Sequence, residues 1–260
     1  MEAGRAVYAG APLDGPVERR AKNQRRDLQL VFQDPVSALN PQIRVQRIIE
    51  ESLLVHEPQL SKGERAVRVV EALEQVGLDE GFLRRFPHEL SGGQAQRVAI
   101  ARALVLGPRV LICDEAVAAL DGSVRARVLT LLQTVQEQTG LSIIFISHDL
   151  AVVRSVSHRV LVMYMGRPVE LGDNTSLFSR PRHPYTRALI DAVPVPNPVI
   201  APKKAPLAGE VPSLLKPPPG CVFHTRCDYA QKECEIRLPA THDFDGTRVA
   251  CHRADEIDLT

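Results

Sequence analysis

The chain has 260 residues, with 32 Lys and Arg against 31 Asp and Glu and a formal net charge of +1. That length holds one larger α/β domain plus a small appendage around a sizeable core. Its balanced, interspersed charge lacks the basic stripe of a nucleic-acid binder. No apolar run approaches the roughly 18–20 residues of a membrane span, and the first residues lack a signal-peptide core, so membrane association is expected only through a partner.

Taken in chain order, residues 1–14 contain RAVYAGAPL, an apolar–polar alternation ending in a glycine turn that reads as the tail of a β-structure. A basic, polar linker is expected over 19–26. Residues 28–32, LQLVF, give a short strand pattern closed by the turn formers Asp34-Pro35 and Asn40-Pro41. From 45 to 106 the pattern is helical; over 64–76, Val67, Val70, Leu73 and Val76 are expected on one face, with Gly77 as a stop. Continuous apolar runs at 110–113 and 142–146 predict strands buried on both faces of a parallel sheet, with a helix over 123–138 between them. Residues 159–172 read as a hairpin turning at Gly166-Arg167. The proline-rich stretch 181–219 predicts an extended linker, and 221–252 a compact cysteine-bearing module.

Within this frame lie residues that carry chemistry. Asp114 and Glu115 close the strand VLICDE. A carboxylate at a strand's C-terminal end is placed to hold Mg²⁺, and the next to face an attacking water. Alone, the pair reads as a solvated acidic strand end. Followed by AVAALD and, after a helix and another strand, by His148, it reads as part of a nucleotide site. Ser91 is a natural N-cap, and Gly92 and Gly93, with Gln94, let the amides of the next helix approach an anion. Gln33, after LQLVF, is placed to orient water or reach the same metal, unless it is an ordinary polar loop residue. His148, ending IIFIS, is placed to contact a γ-phosphate. Asp121 either caps the following helix or contacts a partner subunit. No G-x-x-x-x-G-K-[ST] run occurs in the 260 residues, so the amides and lysine that cradle a triphosphate are not among them.

Of five cysteines, Cys113 sits alone in an apolar strand, and Cys221, Cys227, Cys234 and Cys251 follow C-x5-C-x6-C-x16-C. These gaps fit neither short zinc knuckles nor the usual ferredoxin spacing. In the expected cytosolic setting a clustered set suggests metal more than bridges. Four converging thiolates suit an iron–sulfur cluster or Zn²⁺; four buried free cysteines packing a small module is the other reading.

The ordered set LQLVFQDP, LSGGQAQR, VLICDEAVAALD and IIFISHD resembles the ATP-binding subunit of an ABC transporter. VFQDPVSALNP, HPYTRALIDAVP, GEVPS and GCVFHTRC…RVACH resemble segments of its oligopeptide/dipeptide (peptide/nickel) group, and the likeness runs from about residue 7 to the C-terminus. The resemblance implies an α/β fold of the ABC nucleotide-binding, P-loop NTPase type. It would be N-terminally truncated, without its Walker A region, and carry a helical subdomain and a small Cys-rich C-terminal extension. The expected divisions are 1–20, a remnant of an N-terminal antiparallel β subdomain; 21–44, a core strand and Q-loop; 45–106, the helical subdomain with the signature; 107–178, the α/β core; and 179–260, the transporter-specific C-terminal region.

By the same resemblance, Gln33 is the Q-loop glutamine, 91–94 the signature, Asp114 the Walker B aspartate, Glu115 the catalytic base, His148 the switch histidine and 118–121 the D-loop. It implies ATP and Mg²⁺, the latter on Asp114 and Gln33, and a [4Fe–4S] cluster in the tail. Implied partners are a second ABC ATPase subunit, identical or not, two membrane permease subunits and, indirectly, an extracytoplasmic solute-binding protein, at the cytoplasmic face of the membrane. Ala116, Ala118 and Ala95 stand where the family usually has proline, serine and, often, arginine. The lost phosphate loop is read as a fragment or gene-start artefact. The alternatives are a short subunit that only donates its signature to a complete partner, or a nickel or other small-solute importer subunit. A DNA-repair ATPase is set aside, since Gln33 and Ser91 lie too close in sequence to admit a long coiled coil.

Overall fold

The computed structural model describes residues 6–13, 16, 20–35, 37–193, 209–257 and 259. The chain divides into two compact units, Met1–His148 and Asp149–Thr260. Parts of three expected segments lie outside the described residues: 1–5, 14, 15 and 17–19 near the N-terminus, 36 in the Q-loop segment, and 194–208 of the proline-rich stretch.

In the first unit, β1 (Val7–Tyr8) and β2 (Ala11–Pro12) pair antiparallel across Ala9 and Gly10, whose φ values are 49° and 80°. Positive φ at both turn positions matches the twist of the flanking strands. The expected linker over 19–26 is instead partly helical, as α1 (Lys22–Asp27). Long-range partners fix a segment too short to be helical alone. Gln24 is buried and accepts from the Ala21 amide, and Arg26 donates to the Leu106 carbonyl (3.3 Å) and meets Glu57.

β3 (Leu28–Val31) leads to a helical layer: α2 (Val45–His56), α3 (Lys62–Gln75), 3-10 turns at Glu80–Arg84 and Pro87–Glu89, and α4 (Gly92–Leu104). Ser61 caps α3 in a reciprocal box with Glu64. The buried face of α3 and its C-cap is Val69, Ala72, Leu73 and Val76, at helical i, i+3, i+4, i+7 spacing. Val67, expected on that face, is 57% exposed. Two residues before Val69 it points to nearly the opposite side of the helix.

β4 (Val110–Asp114), α5 (Gly122–Thr139) and β5 (Ser142–Ile146) complete a parallel sheet of order β3-β4-β5, in which Leu30, Ile112 and Ile144 share one register row. The expectation of strands buried on both faces does not hold. Val31, Leu111 and Cys113 are fully buried, and desolvation pushes the Cys113 thiol up to about 12. On the other face Leu30, Ile144 and Ile146 are exposed. Alternate side chains point to opposite faces, and what this unit packs against one face leaves the other bare.

The second unit contains α6 (Leu150–Val156), β6 (Arg159–Tyr164), β7 (Arg167–Asp173), α7 (Asn174–Ser179), α8 (Pro184–Asp191), α9 (Lys232–Ile236), β8 (His242–Phe244) and β9 (Thr247–Val249). The β6–β7 hairpin turns at Met165 and Gly166, one residue earlier than expected, with φ of 49° and 73°. β9 pairs with β7, giving an antiparallel order β6-β7-β9-β8. The boundary expected between 178 and 179 therefore runs through one unit. Phe223, from the cysteine segment, is buried and meets the rings of Tyr164 and Tyr185 at 5.2 and 5.3 Å, which joins that segment to the hairpin. α8 occupies part of the expected linker: His183 caps it and Pro184 takes its first position, where a missing N–H costs nothing.

His183 is buried, and desolvation lowers its pKa to about 4. Its Nδ1 accepts from the Tyr185 amide (3.0 Å), a bond that only the unprotonated nitrogen makes. Because the folded value lies below the ordinary 6.5, this stabilisation is present above pH 6.5 and is lost as pH falls through about 4. The near-UV circular dichroism of the tyrosine cluster should weaken across that window. His183→Asn, which caps without titrating, should flatten the step.

Candidate functional site

The C-terminal ends of β3, β4 and β5 bring Gln33, Asp114, Glu115 and His148 to one edge of the sheet, since parallel strands end on the same side. Beyond the last β4–β5 pair, Asp114 opposite Ile146, the Glu115 amide still donates to the Ile146 carbonyl (3.0 Å). The Ala118 amide then closes a turn onto the Glu115 carbonyl (3.0 Å). Held between these bonds, Glu115 adopts φ 47°, a left-handed backbone that costs a non-glycine residue roughly 1–2 kcal/mol.

The side chain of Glu115 receives Gln33 Nε2 on one oxygen (2.9 Å) and His148 Nδ1 on the other (3.0 Å). A carboxylate only accepts, so His148 carries its proton on Nδ1 toward Glu115. The ring is largely exposed, leaving Nε2 available. The Gln33 amide oxygen is likewise not used in this bond. Asp114 is exposed at the strand end. The group combines a base candidate with both oxygens held, a second carboxylate and an exposed imidazole.

Ser91 caps α4 as expected, in a reciprocal box: its Oγ accepts from the Gln94 amide (3.4 Å) and its amide donates to Gln94 Oε1 (2.9 Å). The two glycines differ. A side chain at Gly93 would lie 2.4 Å from Val124 Cγ1, whereas one at Gly92 would meet no atom of the chain within 4 Å. Asp121 caps α5, its Oδ1 accepting from the Ser123 and Val124 amides (3.1 and 2.9 Å), and these bonds, the Val124 amide foremost, hold its carboxyl below the usual range. The capping alternative for Asp121 is thus realised. No local residue pattern signals the Gly93–Val124 approach or the left-handed backbone of Glu115.

Cys221, Cys227, Cys234 and Cys251 line one small cavity together with His224 and His252. Each sulfur accepts a backbone N–H: Cys221 from Phe223 and His224, Cys227 from Tyr229, Cys234 from Gln231 and Cys251 from Arg253. Desolvation foremost, with the neighbouring thiols adding to it, pushes Cys227 and Cys251 up to about 11. Both histidines donate a ring N–H to a carbonyl, His224 to Cys221 and His252 to Arg237. Gly220 (φ 68°) permits this closeness: a Cβ there would stand 2.3 Å from the Cys234 carbonyl oxygen. Among the described residues, no three His, Cys, Asp or Glu side chains converge as the ligands of a metal ion, so the metal set expected on the four cysteines is not assembled as such.

Comparison with known proteins places these features. The family profile described as ABC transporter matches residues 1–118, and that described as oligopeptide/dipeptide transporter, C-terminal region, matches 169–234. The oligopeptide transport ATP-binding protein OppF of Escherichia coli is 46% identical over 98% of this chain and 77% of its own length. The di/tripeptide transport ATP-binding protein DppF of Pseudomonas aeruginosa is 44% identical over 98% and 78%. Among solved structures, cbiO1 of Clostridium perfringens, part of the ABC transporter complex cbiONQ, superposes with a TM-score of 0.61 at 32% identity, covering 68% of this chain and 69% of its own. A dimeric ATP-binding cassette in a post-hydrolysis state, bound to ADP and Pi, gives 0.59 at 28% identity, covering 66% and 74%.

The strained backbone at position 115 has a measurable signature. Glu115→Gly should melt later than Glu115→Ala, by about 1 kcal/mol in urea titrations, because only glycine takes this φ freely. Equal stability would mean that the turn relaxes once the side chain is removed.

Proposed function

Because the chain belongs to the ATP-binding subunits of ABC transporters, in the group that carries the oligopeptide/dipeptide transporter C-terminal region, we propose that it energises uptake of oligopeptides or dipeptides through a membrane permease. ATP hydrolysis coupled to transport is the activity of this family. The observation that carries the reading is the Glu115 carboxylate at the sheet edge, held between Gln33 and His148. Among the described residues no helix is long and apolar enough to cross a membrane. By its family the subunit would act from the cytoplasmic face, bound to two permease subunits and, through them, to an extracytoplasmic solute-binding protein. Peptide, rather than nickel or another small solute, is favoured by the relatives named for oligopeptide and di/tripeptide transport.

In the arrangement we infer, two ATPase subunits face each other head to tail, and each nucleotide lies between the turn 91–94 of one and the strand ends of the other. Gly92 supports this: no atom of its own chain needs the missing side chain, so the space there is open to a group from outside. Glu115 would take a proton from the attacking water as Gln33 and His148 yield its oxygens. His148 would turn its exposed Nε2 edge toward the terminal phosphate. Asp114 and the free Gln33 oxygen are oxygen donors that fit Mg²⁺, which binds few protein carboxylates alongside phosphates and would supply charge neutralisation there. The phosphate-cradling amides and lysine must come from outside these 260 residues. If none is available in the same subunit, the chain would serve only as signature donor to a complete partner.

For the four cysteines we propose a [4Fe–4S] cluster, with Zn²⁺ as the competing occupant. Four thiols on one cavity, each with an amide N–H, suit anionic sulfurs, and four thiolates are the ligand set of such a cluster. Protein purified without oxygen should be brown with broad visible absorbance, and Cys227→Ser should bleach it. Colourless protein carrying stoichiometric zinc would refute the cluster.

Glu115→Gln keeps the size and one acceptor oxygen but removes the base. In the assembled transporter it should lower ATP turnover by about 10²–10⁴-fold with permease association intact. Undiminished turnover and transport would rule Glu115 out as the base.

A further inference from the structure

We propose that Val124 is a positioning residue that ties the signature turn to the loop carrying Glu115, so that one subunit presents both to nucleotide as a single piece. The proposal rests on the reading of 91–94 as a nucleotide-facing turn.

Its basis is a chain of short contacts within the first unit. Val124 Cγ1 stands where a side chain at Gly93 would begin, 2.4 Å from an ideal Cβ, with its own Cβ and Cγ2 at 3.6 and 3.7 Å. Glycine at 93 is therefore dictated by α5, whereas glycine at 92 is not dictated by anything in the chain. Val124 is branched at Cβ and turns aside less freely than an unbranched side chain. Its amide is pinned by Asp121 Oδ1 (2.9 Å), and the Arg125 amide donates to the Asp121 carbonyl (2.8 Å).

Asp121 in turn ends a rigid loop. Ala116 and Val117 are each 2% exposed, Leu120 is buried, and the Ala118 and Leu120 amides close successive turns onto the Glu115 and Val117 carbonyls. From the Glu115 backbone to the Gly93 backbone, every link is thus a hydrogen bond or a van der Waals contact. A branched methyl is the last of them. In a head-to-tail pair, Glu115 and the turn of one subunit serve different nucleotides. The Val124 contact would then make the closing of one site felt at the base of the other.

The test uses the assembled transporter, with kcat, KM for MgATP and melting temperature measured for each variant. Gly93→Ala should raise KM and lower kcat, together on the order of 10-fold or more in kcat/KM, since small misplacements at a site cost this much. Adding Val124→Ala, which removes Cγ1 and leaves an ordinary 3.6 Å contact, should restore most of it. Val124→Ala alone should raise KM several-fold through a loosened turn. Gly92→Ala should also impair turnover, but Val124→Ala should not repair it.

The proposal is overturned if the Gly93→Ala/Val124→Ala pair is no better than Gly93→Ala, or if Gly92→Ala is repaired equally well. Should Gly93→Ala fail to fold, unchanged KM and kcat in Val124→Ala overturn it instead. If Gly92→Ala and Gly93→Ala both leave turnover intact, the nucleotide-facing reading of the turn itself is what fails.

Discussion

One hydrogen bond beyond the end of the sheet organises the catalytic edge. The parallel pairing of β4 with β5 continues one residue past Asp114, through the Glu115 amide and the Ile146 carbonyl. Between that bond and the turn closed by the Ala118 amide the chain passes through the left-handed region, and the Glu115 carboxylate lies between the strand ends that bear Gln33 and His148. In an extended backbone Glu115 would follow strand alternation and point to one face of the sheet. The backbone cost at this residue is the cost of bringing three side chains from three strands to one point, a pattern seen where strain serves chemistry.

The second unit depends on a different device. Gly220 lets two stretches of chain approach closely, the Cys221 amide bonds the Cys234 carbonyl, and Phe223 is driven into the aromatic cluster of the hairpin. Thiols then crowd into a cavity that burial makes hostile to their charged form. Amides aimed at each sulfur and a desolvated pocket pull in opposite directions. Glu170 shows the same economy. Buried, it accepts the Arg182 and His183 amides (2.8 and 3.0 Å) and so fixes the entry to α8.

Much of this was legible in the sequence wherever a local constraint has a local signature. Ser91 before two glycines, an apolar run ending in Asp114-Glu115, and a second run ending near His148 each announce a helix start or strand end, and the structure places them so. What was not legible depends on distant partners. The helix α1 has too few residues to announce itself and forms as Gln24 is buried and Arg26 finds Glu57, just past α2, and the Leu106 carbonyl, just past α4. Val67 belongs to an apolar pattern that the chain, seen locally, divides equally well in two ways; packing chose Val69 instead. The proline-rich stretch hid α8 because a proline at a helix start reads the same as a proline in a coil. The β7–β9 pairing joins residues some 80 positions apart in sequence, which no periodicity encodes.

Leu30 and Ile144 are exposed on either side of the half-buried Ile112, in one row across the sheet. An apolar patch spanning three strands beside an edge strand is the sort of surface that chaperones hold and proteases sample.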